Sequence, residues 1–420
     1  MADATAASPV SRNRAAWLNG LLKAGAYAAA ALCVLPMIAV VIAASAGGLE
    51  SVTHLWDTVL LRYIGNTLNL VAIVAIGTAL IGAGTAWLVT MTRFPGVRVF
   101  EVILVLPLAF PAYVLAYAYT DVLDHPGIVQ TTLRYVTGWG PRDYWFPEVR
   151  SLPGAAAMLT LVLYPYVYLL ARAAFLQQSA TAYLAARALG QSAWGAFIRV
   201  SLPIARPAIA AGVLLAVMET IADYGTVAYF SVQTFATGIY MTWFAFADRA
   251  GAAQLATVLL GFALLLLVLE RLSRGNARHH SAGRRFERVS PVDLTGWRRW
   301  GAITLCALPV LLGFVVPVIV LFEMGLGSEQ NLFSRRYVDF IRNSITLASA
   351  AAVVTVGAAI LIGFNQRLNP GRAATSAGQI SRIGYAVPGG VIAIGLFVPF
   401  AAVDNALDAF MRQYFDVSTG

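Results

Sequence analysis

The stretch NTLNLVAIVAIGTALIGAGTAWLVTMT, residues 66–92, holds no charged side chain, and its reading decides the fold. As a helix rising about 1.5 Å per residue, it is longer than the roughly 30 Å of a bilayer's hydrocarbon core. Lipid leaves no free backbone amide satisfied, and the stretch lacks the alternation of a barrel strand, so it must be a helix. Eight further runs are long enough to span, at 24–46, 100–122, 154–178, 206–230, 252–270, 302–324, 344–364 and 383–403.

The composition agrees. The chain has 420 residues, 59% of them hydrophobic and 12% charged, with a mean hydropathy of +0.73. A soluble domain carries about 25% charged residues, so much of this chain has lipid for solvent. The net charge of +9 does not indicate nucleic acid. Basic residues of such a binder gather on one face beside aromatics, whereas here they punctuate the apolar runs. Cys33 and Cys306 both fall inside apolar stretches and behave as small hydrophobes. The four histidines (His54, His125, His279, His280) form no metal-protease spacing.

Arg12, Arg14 and Lys23 precede the first run, which ends in Ala44-Ser45-Ala46, a cleavage-like tripeptide. A signal core is about 7–15 residues, and this run approaches the 20 needed to cross, so a retained first helix is expected. Placing the N-terminus inside puts 20 of the 29 basic residues in inner loops. The opposite orientation would reverse that two-to-one bias.

Two segments read as non-helical. Residues 123–153 make an outer loop with Trp139, Tyr144 and Trp145, a lid or docking surface. Residues 271–300 make an inner linker with eight arginines against Glu287 and Asp293, an anchor joining two halves rather than a regulatory site. The chain also repeats itself. Asn66-Thr67-Leu68 is answered by Asn343-Ser344-Ile345, Pro95-Gly96 by Pro370-Gly371, and Pro111 by Pro388. Six spans separate the copies, so they have the same orientation, unlike the inverted repeats of many secondary transporters. The second copy stops early, so the chain is expected to be truncated. The expected domains are a tail over 1–23, a first half over 24–270, a linker over 271–300 and an incomplete second half over 301–420.

The strongest local signal lies between the fourth and fifth spans. Leu184-Ala185-Ala186-Arg187-Ala188-Leu189-Gly190 is followed, nine residues after the glycine, by Val200-Ser201-Leu202-Pro203. The alanines give a helix of little bulk that can approach a partner's groove. Gly190 permits a sharp turn after it, and Pro203 and Pro207 suit the start of the next helix.

This stretch resembles the "EAA" cytoplasmic loop of binding-protein-dependent ABC importer permeases. Ala185, Ala186, Gly190, Leu202 and Pro203 match that pattern, and Val200 is conservative for its isoleucine. Leu184 stands where the family usually has glutamate, which removes an ion pair to the ATPase. The surrounding Met218–Val227 and Thr237–Tyr240 resemble the ferric-iron subfamily, whose members fuse two six-helix halves. The resemblance covers 60–270 well and 333–420 partly. It implies an all-α polytopic bundle of the type I importer kind, with six spans and three of a parallel repeat. It also implies a bacterial inner-membrane location, a periplasmic or lipid-anchored binding protein, and a cytoplasmic ATPase dimer that docks on the loop.

Lys23 is the only lysine, so no Gly-Lys-Ser/Thr phosphate loop exists. ATP and magnesium belong to the partner ATPase; no cofactor, metal site, nucleic acid or catalysis is expected of this chain. Within the fifth run, Glu219 and Asp223 stand four residues apart and so share a helix face. Intramembrane carboxylates are costly and face a cavity or a partner. They could receive a cation released by the binding protein, with Tyr224 and Tyr229 as further oxygen donors. The alternative is a structural bond to a neighbouring helix, or solvation at the outer end. Thiamine, a polyamine or another small solute is the alternative cargo, and an ion-gradient-driven secondary transporter is the alternative machine.

Overall fold

The computed structural model describes residues 9–178, 180–274, 291–327, 334–384 and 387–418. These are helical almost throughout, as the backbone's need for internal partners in lipid demands. Among them, 8 helices are long and apolar enough to cross a membrane, or 9 if one bent pair counts as a span. The contacts divide the chain into two units, Gly47–Gly327 and the pairing of Met1–Ala46 with Ser328–Gly420. This grouping differs from the sequence halves, since the first helix goes with the C-terminal helices.

The larger unit begins with α2 (Gly48–Leu55) and α3 (Leu61–Met91), continuing through α4 (Val97–Ile103), α5 (Ala112–Leu123), α6 (Ile128–Thr137) and α7 (Leu152–Gln177). After α8 (Ala180–Ala188) and α9 (Ala193–Ala196) come α10 (Leu202–Ala222), α11 (Gly225–Tyr229), α12 (Phe235–Tyr240) and α13 (Arg249–Arg274). Then follow α14 (Trp297–Val310) and α15 (Val316–Gly327). Its centre is α7, buried between α3 and α10. Val167 of α7 sits where both neighbours carry glycine, Gly82 on α3 and Gly212 on α10. Without a hydrophobic drive between helices in lipid, such small residues let backbones close to packing distance. Two apolar clusters flank this crossing. One gathers Leu70, Val74, Leu115, Leu159 and Phe230; the other gathers Val89, Leu104, Tyr164, Phe175 and Phe197.

The run at 100–122 does not form one continuous helix. It breaks into Val97–Ala109 and Ala112–Thr137, bent by 90°. Pro107 and Pro111 explain the break: neither has an N–H for the ladder, and Pro111 drives Phe110 extended (φ −96°, ψ 133°). The Leu104 carbonyl at the break accepts from the buried Tyr164 hydroxyl at 2.8 Å, and the Glu101 carbonyl accepts from Tyr168 at 2.9 Å. The segment 123–153, expected as an outer loop, is not wholly non-helical either, because it contains α6. That element is pinned by Arg134, which donates to Tyr144 Oη at 3.0 Å and to the His125 carbonyl at 2.8 Å. An Arg150–Asp124 ion pair at 3.2 Å closes it at the base.

The expected linker is also partly ordered. Helix α13 runs on to Arg274, and β2 (Val292–Asp293) pairs in parallel with β1 (Thr92–Arg93) before α14 starts at Trp297. Residues 275–290 of the linker, with four of its arginines, lie outside the described residues.

The smaller unit holds α1 (Pro9–Ser45), α16 (Arg335–Leu368), α17 (Arg372–Ile383) and α18 (Gly389–Phe415). Helix α1 packs against the other three, and reciprocal amide bonds of 3.0 and 2.7 Å join Asn19 to Asn369. The last run starts at Gly389 rather than 383, because Pro388 caps α18 with extended backbone (φ −57°, ψ 141°). Pro111 holds the same place before α5 (φ −61°, ψ 137°). Pro95-Gly96 and Pro370-Gly371 likewise each precede a helix, α4 and α17.

Candidate functional site

The stretch 180–203 folds as helix, turn and helix. Helix α8 ends in a Schellman motif. Gly190 takes a left-handed φ of +84°, its N–H donates to the Arg187 carbonyl at 3.1 Å, and the Gln191 N–H donates to the Ala186 carbonyl at 3.1 Å. Two arginines lock the turn: Arg187 Nη1 donates to the Gln191 carbonyl at 2.7 Å, and Arg199 Nη1 to Gln191 Oε1 at 3.0 Å. Ser192 then caps α9, accepting from the Gly195 N–H at 3.0 Å.

Pro203 stands in the first turn of α10, as expected, whereas Pro207 falls inside that helix. Pro203 has no N–H for the Arg199 carbonyl, and here the ladder widens to a π turn over Phe197–Ser201. The Ser201 carbonyl accepts from Gln178 Nε2 at 2.7 Å, tying the turn back to the end of α7. Val200, Leu202 and Pro203 form this partly buried root.

The exposed positions of the hairpin are mixed, with Arg187 and Arg199 beside apolar side chains. Leu184 is 48% exposed, Leu189 83% and Trp194 57%, with Ala185 and Gly190 open between them. Leu184, in the place of a glutamate, is exposed and offers no charge. The inner side is anchored by aromatic rings. Trp87 of α3 lies 5.5 Å from Trp194 and 4.7 Å from Phe197, and Phe175 of α7 lies 6.0 Å from Phe197. The sequence reading missed Leu189 and Trp194; their signal was large apolar residues flanking Gly190 outside any spanning run.

The second candidate cluster comes apart. Helix α10 ends at Ala222 and Asp223 is extended (ψ 120°), so the fifth run is not one helix to 230 and the two acids share no helix face. Asp223 instead caps α11. Its Oδ1 accepts from the Thr226 and Val227 N–H groups at 3.0 and 3.2 Å, and its Oδ2 from the Thr226 hydroxyl at 3.0 Å. Asp223→Ala is expected to cost about 1–2 kcal/mol, as lost caps do. The melting temperature of the purified chain reads this loss; an unchanged value would show the cap to be idle. Glu219 stays on α10, half-buried and within electrostatic reach of Tyr166.

The tyrosines diverge. Tyr224 stacks near Tyr240 at 4.7 Å, while Tyr229 meets Tyr117 at 6.1 Å and lies 5.5 Å from the Arg150 guanidinium. Among the described residues, no three His, Cys, Asp or Glu side chains gather as metal ligands.

Comparison with known proteins places this architecture. No family model matches the chain. It is 25% identical to the Fe(3+)-transport system permease protein FbpB 2 of Haemophilus influenzae, over 87% of this chain and 68% of that protein. It is 30% identical to the sulfate transport system permease protein CysW of Escherichia coli, over 50% of this chain and 70% of that protein. The chain belongs to the ABC transporter permease family. A third ABC permease, the molybdenum transport protein ModB of Escherichia coli, is 26% identical over 52% of this chain and 93% of its own length. As an ABC permease the chain is a multi-pass membrane protein and a transport component, not an enzyme.

Proposed function

We propose that this permease imports ferric iron across a bacterial inner membrane, with its N-terminus in the cytoplasm. A cytoplasmic ATPase dimer docks on the hairpin at 184–203, and a periplasmic or lipid-anchored binding protein delivers the cargo from the other side. ATP and magnesium are bound by the ATPase. One observation carries the docking role: a hairpin turned by the left-handed Gly190 that leaves Leu184 and Leu189 exposed. Its backing rings on α3 and α7 make it a lever. Closure of the ATPase moves α8, and the Trp194–Phe197–Trp87 contacts carry that displacement into the bundle. Nucleotide then shifts the populations of inward- and outward-open states.

Support for ferric iron comes from reach. The alignment to the Fe(3+)-transport permease extends over 87% of this chain, whereas those to the sulfate and molybdenum permeases cover about half. Glu219, Tyr224 and Tyr229 supply oxygen donors at separate points of the pathway; Asp223 contributes by holding α11 in place. A second reading, an oxyanion cargo, is favoured by the sulfate and molybdenum relatives and by Arg150 beside Tyr229.

Uptake of radiolabelled ferric iron, sulfate and molybdate by cells expressing the chain with its ATPase and binding protein tests both. Iron accumulation that stops when the ATPase is omitted is expected. Accumulation of an oxyanion alone would transfer the assignment to the second reading. Uptake that persists without the ATPase would make the chain a secondary transporter and overturn the proposal.

A further inference from the structure

A cavity of about 420 Å³ opens where α3, α4 and α7 end, beside the root of the coupling hairpin. Arg93 of β1, Arg98 and Glu101 of α4, and Arg172 and Gln178 at the end of α7 line it, over an apolar floor that includes Phe175. Three guanidinium groups against one carboxylate leave the lining net positive. Glu101 is already engaged, accepting from Arg172 Nη2 at 2.8 Å. The Nε–H of the same arginine is buried and has no acceptor among the described residues. A buried donor left unmade costs about 1–3 kcal/mol, so the wall is arranged for a group it does not itself supply.

Arginines that merely orient a membrane protein sit at separate helix ends and reach for water. Here three converge from three elements, and the β1–β2 pairing fixes the strand that carries Arg93. Arg93 and Arg98 stand exposed at the rim, where an anion could enter. Guanidinium forks match the spaced oxygens of a tetrahedral oxyanion, and apolar walls strengthen the attraction by excluding water.

We propose that this cavity binds a phosphate-type anion, supplied by the headgroup of an anionic phospholipid or by free phosphate. An occupant would brace the coupling hairpin, because Gln178 of the same lining holds the Ser201 carbonyl and Phe175 packs on Phe197. The site is independent of the cargo and of the ATPase. It can therefore fail while the importer reading stands, and the reverse.

The test is thermal melting of the purified full chain in neutral, phosphate-free detergent. It is titrated with inorganic phosphate and, separately, with phosphatidylglycerol, using chloride at matched ionic strength and phosphatidylcholine as controls. A saturable rise in melting temperature is expected with one of the two anions, and which one responds identifies the source. Arg98→Gln and Arg93→Gln, both at exposed positions, are each expected to weaken that response about tenfold, the loss of one charge-assisted bond. No saturable response to either anion, or a response equal in wild type and both variants, overturns the proposal.

Discussion

Gly190→Val is expected to cut ATP-driven uptake by about tenfold or more while the purified chain keeps its wild-type melting behaviour. The cause is backbone geometry alone. Gly190 holds φ +84°, and a Cβ built there meets nothing within 4 Å. Forcing an L-residue into the left-handed region costs about 1–2 kcal/mol, and a β-branched side chain sits at the upper end. That cost falls on the motif that turns α8 back toward α9, so the exposed Leu184 and Leu189 lose their placement. Because no clash contributes, a graded series isolates the effect. Gly190→Ala should fall between glycine and valine, and Gly190→Asn, which visits the left-handed region readily, should keep most activity. Uptake in proteoliposomes and pull-down of the ATPase read the coupling, while gel filtration and melting read the fold. A valine variant that binds its ATPase and transports as wild type does would remove the hairpin from the mechanism.

The membrane class and most helices were legible because lipid imposes a single rule that apolar length satisfies. Eight of the runs read from sequence correspond to continuous membrane-length helices. The ninth is broken at Pro107 and Pro111, whose individual effects are readable. Their combined result depends on Tyr164 and Tyr168, about sixty residues later, to take up the freed carbonyls. That compensation is tertiary and leaves no local trace. The hairpin was legible in outline from Gly190 and the alanines, since a glycine after a helix signals its stop. Its working face was not, because exposure of Leu189 or Trp194 depends on what packs behind them.

The error over Asp223 has a different origin. Spacing of four places two side chains on one face only while the helix continues, and the sequence around 219–227 carries no proline to warn of a break. An aspartate three residues before a threonine and a valine is also a capping arrangement, and in the structure Asp223 takes that role at the start of α11. Asp223 meets its needs within five residues of chain, while Glu219 lies within electrostatic reach of Tyr166 on α7.

Gly212→Leu is expected to prevent the larger unit from folding. A Cβ at Gly212 would stand 2.6 Å from Val167 Cα and 3.0 Å from the Tyr166 carbonyl oxygen. At Gly82 it would stand 2.6 Å from Val167 Cβ and 2.8 Å from both Tyr164 O and Tyr168 N. Most of these neighbours are backbone atoms of α7, so no rotamer change relieves the clash. Only separation of the helices does, and it would open both apolar clusters that meet along α7. Overpacking a tight core costs about 1–3 kcal/mol when side chains can adjust. With backbone in the way, the expected loss is at the top of that range or above, and Gly82→Leu should behave alike. Gly84→Leu is the control: the position lies on the same helix, and a Cβ there meets nothing within 4 Å. It should give a monodisperse protein with near wild-type melting, whereas the other two should aggregate on extraction. The crossing also bears on transport, because α7 carries Phe175 and Gln178 at the end nearest the hairpin. On the proposed coupling role, a rigid contact at Val167 would make α3, α7 and α10 move as one body, so that a push on Trp194 displaces the bundle instead of bending a single helix. Should Gly212→Leu yield a stable, monodisperse chain, the three helices would not be held at Val167, and that rigid lever would be lost.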